Sequence, residues 1–273
     1  VVTHKSSNIS LAVESLAAHP QAGLIIVHGL AEYAGRYRDV AQVFASRGIS
    51  CFAYDQRGHG ANPEVRTHVE RFDDFVADLR AIGRDLSAGN PGLPLFVWGH
   101  SMGSVVVTLL AMKSEPWLRG VITSSSSLEI FRNGLNPLNA FFRAAARIAP
   151  RIRIPLGLDG ARISNDESVQ HAYVNDPLIP HTASLRLIVE FAAACESCRE
   201  HAAQITLPWL VTHGEADKIA AVEGSRVLFE RLGSTDKKLV IYPGLRHEIH
   251  NEKPADRAAF LQLIGDWIAE RSR

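Results

Sequence analysis

The sequence predicts an α/β fold: a mostly parallel sheet flanked by helices, with a mainly helical cap inserted into it. Three observations predict it. Short, continuous apolar runs recur along the chain, as expected of strands buried on both faces. Helical patterns separate them. The alternation then lapses between about residues 126 and 205 and resumes afterwards.

Taken in order, ISLAVESLA (9–17) reads as an edge strand, and AGLIIVH (22–28) as the first buried one. Residues 36–47 place Val40, Val43 and Phe44 on one helical face. ISCFAYD (49–55) is the next strand. Residues 71–87 then put Phe72, Phe75, Leu79, Ile82 and Leu86 on one face of a helix. PLFVWGH (94–100) and GVITSS (120–125) follow as strands, and later WLVTHG (209–214) and KLVIYPG (238–244). Helical spacing returns at 220–232 and 254–270.

No convincing strand appears from 126 to 205. There Leu135, Leu138, Phe141, Phe142, Ile148 and Ile154 mix with Arg143, Arg147, Arg151 and Arg153. Pro137, Pro150 and Pro155 punctuate the stretch. The implied division is a core of 1–125 with 206–273, and a helical cap of 126–205.

Composition narrows the function. The chain has 273 residues, 46% hydrophobic and 21% charged, enough for one large soluble α/β domain with an insertion. Lys+Arg and Asp+Glu both number 29, so no basic excess points to nucleic acid. Three cysteines, Cys51, Cys195 and Cys198, are too few for a disulfide framework and suit a reducing cytoplasm. VVTHKSSNIS has no signal-peptide apolar core, and no apolar run is of membrane-spanning length.

One short stretch carries the chemistry. In GHSMG (99–103) a strand gives way to a helix around Ser101, flanked by Gly99 and Gly103. G-x-S-x-G in that context is a nucleophile elbow: a sharp turn needing small neighbours and holding the serine hydroxyl out. The next backbone N–H, of Met102, lies at a helix start and suits an oxyanion. The alternative is a purely structural turn. A serine needs a base, and the base an acid, in the chain order Ser, Asp/Glu, His. THGEADKIA offers Asp217, with Glu215 as alternative, after a strand end; either carboxylate could instead cap the next helix. YPGLRHEIHNE offers His247 beyond the last strand, with His250 better suited to packing. His213 reads as structural. A second oxyanion donor belongs after an earlier central strand, where LIIVHGLAE (24–32) supplies the N–H of Leu30.

Jointly, HGLAEYAGRY (28–37), YDQRGHGAN (54–62), GHSMG (99–103), HGEADKI (213–219) and YPGLRHEIHNE (242–252) resemble the monoacylglycerol lipase/lysophospholipase-like branch of the α/β-hydrolases. VNDPLI (174–179) resembles it too. The resemblance implies the α/β-hydrolase fold with a cap. It implies Ser101 as nucleophile, Asp217 as acid, His247 as base, and Leu30 and Met102 as oxyanion donors. Asp55, Arg57 and His59 match a structural loop. Three positions depart from the pattern: Tyr33 stands where His is usual, Ser104 where Gly is, and Asn62 where Ser is.

The expected activity is hydrolysis of carboxylic esters through an acyl-enzyme, monoacylglycerols first, with no metal or cofactor. A lysophospholipase or a broad short-chain esterase would use the same residues. A non-catalytic ligand receptor on this fold ranks below them, because the triad looks complete. Aspartate-nucleophile chemistry is excluded by Ser101 at the elbow. Cys195-x-x-Cys198 with His201 offers three ligands where structural zinc takes four. SSSS (124–127) reads as a polar loop ending a strand, and no dinucleotide fingerprint is present. The expected partner is a small, single-chain lipid ester. The expected setting is the cytoplasm; the Arg-rich cap could make transient membrane-surface contact with anionic lipid headgroups, although a solvated, Arg-covered helix is the more common explanation.

Overall fold

The computed structural model describes residues 10–62, 64–131 and 139–272. Strands β1 (Leu11–Ser15), β2 (Ala22–Val27), β3 (Ile49–Tyr54), β4 (Leu95–His100) and β5 (Leu118–Ser124) fall within one or two residues of expectation. Ile9, at the head of the expected edge strand, lies outside the described residues. Within the insertion come β6 (Arg153–Pro155) and β7 (Thr182–Ser184), followed by β8 (Trp209–Gly214) and β9 (Lys237–Tyr242).

Seven strands form one sheet in the order β1-β3-β2-β4-β5-β8-β9. Only β1, at the edge, runs antiparallel. Strand periodicity explains the continuous apolar runs. Ile25, Val27, Phe52, Leu95 and Val97 enter one core, while Leu24, Ile26, Cys51, Phe96 and Trp98 enter the other. Both faces are covered, so neither parity can be polar.

Helices α1 (Arg38–Ala45) and α9 (Pro254–Arg271) cover one face through Val40, Phe44, Phe260 and Ile264. On the other lie α2 (Asp73–Gly89), α3 (Met102–Ala111) and α8 (Glu223–Arg231). One expectation for α1 fails: Val43 is 39% exposed, and the buried face is Val40, Ala41 and Phe44. At 100° per residue, positions 40, 41 and 44 share a side, and 43 falls off its edge.

Between β5 and β8 the chain builds α4 (Ala140–Ile148), α5 (Gly160–Ile163), α6 (Glu167–Asn175) and α7 (Leu185–His201). The sequence predicted no strand here, yet β6 and β7 pair antiparallel, Arg153 against Ser184 and Pro155 against Thr182. Each is three residues long, too short to show a period. Helix α7 lies against the sheet-covering layer, where Phe191 stacks on Phe72 at 5.6 Å. Cys195 and Cys198 are buried in that packing, and His201 is exposed. Leu135, Pro137 and Leu138 lie outside the described residues. No helix among the described residues is long and apolar enough to cross a membrane.

Candidate active site

Ser101 sits between β4 and α3 with φ 51° and ψ −118°. A non-glycine residue held there costs about 1–3 kcal/mol, so its surroundings must enforce it. They do: Ser101 N–H donates to Ser124 O at 3.0 Å, and its carbonyl accepts from Ser104 N–H and Oγ at 2.9 and 2.6 Å. Ser104, the departure from the family's usual glycine, thus braces the turn. A Cβ on Gly103 would collide with Val27 O, and one on Gly99 with Gly103 O. The elbow is tight enough to demand both glycines.

The serine run proves to be more than a polar loop. Ser124 to Ser127 are all buried. Ser124 Oγ lies 2.9 Å from Trp98 Nε1 and 3.0 Å from His100 Nδ1. Ser125 Oγ donates to His247 O at 2.6 Å. Ser126 N–H donates to Ser225 Oγ at 3.3 Å. Ser127 Oγ lies 3.2 Å from Ser101 Oγ. Among the described residues, no hydrogen bond joins Ser101 Oγ to His247. Sequence reasoning missed these contacts; four serines at a strand's carboxyl end beside an elbow were the available signal.

Asp217 and His247 come together across 30 residues, with His247 Nδ1 2.7 Å from Asp217 Oδ2. Asp217 Oδ1 accepts from the N–H groups of Ile219 and Ala220 at 2.8 and 3.0 Å. His213, read from sequence as structural, also reaches Asp217 Oδ2, through Nε2 at 3.1 Å. Its Nδ1 meets Ser225 Oγ at 2.6 Å, which orients the ring. Burial alone would raise the Asp217 pKa; the His247 charge and the two imidazole hydrogen bonds outweigh it and hold the carboxyl well below the usual range. Burial would likewise lower His247, and Asp217 outweighs it, so the imidazole pKa is raised. Glu215, the alternative acid, is exposed and has no hydrogen bond to His247. His250 packs instead, stacked on Tyr37 at 4.8 Å, and burial lowers its pKa to about 3.

The loop after β2 abuts the elbow: a Cβ on Gly29 would stand 2.9 Å from Ser101 Cβ. The N–H groups of Leu30 and Met102 have no hydrogen-bond acceptor among the described residues. Such free donors are what an oxyanion needs. Behind this loop Asp55 accepts from Ala34 N–H and Ala61 N–H at 2.9 and 2.8 Å, and Arg57 pairs with Asp78 at 2.6 and 2.8 Å.

Ser101, His247, Leu30 and Glu32 line one cavity of about 280 Å³. Its remaining wall is largely apolar and comes mainly from the insertion, including Ile154, Leu156, Leu158, Ile163 and Ile188. Of the cap residues singled out from sequence, Ile154 lines the cavity, whereas Phe141 and Ile148 are 72% and 85% exposed.

Similarity to known proteins agrees with this architecture. The model of the family described as serine aminopeptidase, S33 (Hydrolase_4) matches residues 18–254. A monoacylglycerol lipase of Mycolicibacterium smegmatis is 34% identical over 254 residues, 91% of this chain and 88% of the relative. A Bacillus subtilis phospholipase is 30% identical over 86% of this chain and 91% of its own. The crystal structure of a Paleococcus ferrophilus monoacylglycerol lipase superposes with a TM-score of 0.84 at 28% identity, covering 96% of this chain and all of the other. The chain therefore belongs to the Hydrolase_4 (serine aminopeptidase S33) family of the α/β-hydrolases.

Proposed function

We propose that this serine ester hydrolase acts on monoacylglycerols, through an acyl-enzyme on Ser101. The observation that carries the reading is geometric. Ser101 and His247 line one apolar cavity, and Asp217 stands 2.7 Å behind the imidazole. In this reading Ser101 Oγ attacks the ester carbonyl while His247 takes its proton. The backbone N–H groups of Leu30 and Met102 hold the oxyanion. His247 then gives the proton to the departing alcohol, and water attacks the acyl-enzyme to release the acid. Asp217 fixes the ring and balances the imidazolium.

The relatives named as monoacylglycerol lipases support that ester class. A carboxylate is a common partner for the ammonium group of an aminopeptidase substrate. The carboxylates lining this cavity, Glu32 and Glu248, are both engaged by Arg36. The phospholipase relative favours a second reading, in which lysophospholipids are cleaved by the same residues.

We take residues 126–205 as the cap. Its α4 carries Phe141 and Ile148 with Arg143 and Arg147, an apolar and cationic pairing suited to transient contact with a lipid surface. A cytoplasmic setting fits three buried, unpaired cysteines.

The test is a chain-length series of 1-monoacylglycerols beside lysophosphatidylcholine and p-nitrophenyl butyrate. Efficient turnover of medium or long monoacylglycerols, abolished by Ser101→Ala, is expected. Turnover of the butyrate alone would reject the monoacylglycerol assignment, and full activity of Ser101→Ala would reject the mechanism.

A further inference from the structure

One buried charged group has no part in the chemistry just described. Arg36 grips Glu248 with two nitrogens, at 2.5 and 2.8 Å, and approaches Glu32 Oε2 at 3.5 Å. All three side chains are almost wholly enclosed. Glu32 follows the Leu30 loop, and Glu248 adjoins His247, 216 positions further along the chain.

We propose that Glu32, Arg36 and Glu248 form a clamp locking the oxyanion loop to the base loop, with Glu32 the positioning residue for the Leu30 donor. The proposal rests on the roles given above to Leu30 and His247.

The argument begins with the peptide plane. The N–H of Leu30 shares a rigid plane with the carbonyl of Gly29, so fixing one fixes the other. His28 Nδ1 lies 2.8 Å from Gly29 O. Gln56 N–H donates to His28 Nε2 at 3.0 Å, which leaves the proton on Nδ1 to hold that carbonyl. The other side of Gly29 belongs to Glu32, whose Oε1 accepts from Gly29 N–H and from Tyr37 OH, the latter at 3.1 Å. The direction of the Leu30 N–H is thus held from both ends of Gly29. Arg36 carries this constraint to Glu248, which is steadied by Asn251 Nδ2 at 2.8 Å.

The cap joins the same assembly. Glu248 N–H donates to Ile163 O at 2.8 Å, and Tyr173 OH to Ala31 O at 3.2 Å. The Arg36 guanidinium lies over the Tyr173 ring at 5.1 Å.

The clamp also has an electrical side, since two carboxylates share one guanidinium. Arg36 outweighs burial at Glu248 and brings its pKa down to about 2. Burial and the like charge of Glu248 push Glu32 up to about 7. Around His247 stand Asp217 with His213 behind it, His100 and His250, and the Glu248–Arg36–Glu32 group. The permanent negative charge of Glu248 favours the imidazolium, and that of Glu32 adds to it only as the pH rises through about 7.

Two variants test the clamp on p-nitrophenyl butyrate. Glu32→Ala removes both charge and acceptor. Its plateau kcat is expected to fall about 100-fold, with KM changed less than about threefold. Glu32→Gln keeps an acceptor for Gly29 N–H and Tyr37 OH. It is expected to recover at least about tenfold of that loss. A plateau kcat for Glu32→Ala within about threefold of the unaltered enzyme overturns the clamp. If Glu32→Ala does not fold, a plateau kcat for Arg36→Met within about threefold of the unaltered enzyme overturns it. Ser101→Ala separates the two claims: if it stays active, the mechanism fails; if it is silent while kcat ignores Glu32, only the clamp fails.

Discussion

The floor of the site and its roof are built on different principles. The floor consists of the carboxyl ends of parallel strands, and it is strained. Among the described residues, Ala31, Ser101 and Ser125 each follow a central strand with φ between 51° and 59°. Backbone hydrogen bonds and buried hydroxyls hold them there. The roof, taken as residues 126–205, has no such non-glycine residue among the described positions. It is made of three short helices and the longer α7, a ribbon of two three-residue strands, and apolar side chains, some turned to solvent. The floor is suited to fixing reacting atoms, and the roof to fitting what surrounds them. Chemistry should therefore fail sharply on single changes below, whereas substrate choice should drift with changes above.

The largest effect is expected on the floor. Ser101→Ala should lower kcat by about 10⁴-fold or more on every ester, with melting temperature little changed. Asp217→Asn comes next, at about 10³- to 10⁴-fold, because the imidazole loses its orienting acceptor. Initial rates on p-nitrophenyl butyrate measure both. Equal losses from a cap substitution would erase the contrast between floor and roof.

The contrast also mirrors what was legible in the sequence. Strands buried on both faces must be continuously apolar, so β2 to β5 and β8 stood out; β9, a half-buried edge strand, was legible from its apolar run alone. The elbow was legible because its geometry tolerates few residues: Gly99 and Gly103 have no room for a Cβ. Asp217 and His247 were found by their places after strand ends. The rest depended on contacts that sequence spacing does not encode. The β6–β7 pairing joins residues 27 to 31 positions apart, in segments too short for any period. Glu32 and Glu248 share one arginine across most of the chain. His213 shares Asp217 with His247, and Ser127 shares a hydrogen bond with Ser101. On α1, Val43 was apolar yet outward, a reminder that an apolar residue need not mark the buried side.

Acidity probes the floor more gently. His247 must be neutral to accept the serine proton, so kcat/KM should rise with pH through its pKa. Asp217 raises that pKa, which sets the midpoint of the acid limb above the ordinary 6.5. A pH–rate profile checks it; a midpoint below 6.5 would break the Asp217–His247 pairing as the source of the base.

The roof should respond differently. Leu158→Trp narrows the cavity and should raise KM for long-chain monoacylglycerols about tenfold, with a much smaller effect on the butyrate ester. A chain-length series of KM values would sharpen the division of labour. Smallest of all, Phe141→Ser with Ile148→Ser should change stability by about 0.5 kcal/mol or less, since both side chains are exposed. Urea unfolding measures that, and sedimentation with anionic vesicles should show weaker binding of the double variant.

The central claim is that Ser101 carries the acyl group. Acid quenching within milliseconds of mixing with p-nitrophenyl butyrate, followed by peptide mass spectrometry, tests it directly. The account predicts a butyryl adduct on the peptide that contains Ser101, absent from Ser101→Ala. An adduct on another residue, formed equally in that variant, would contradict it.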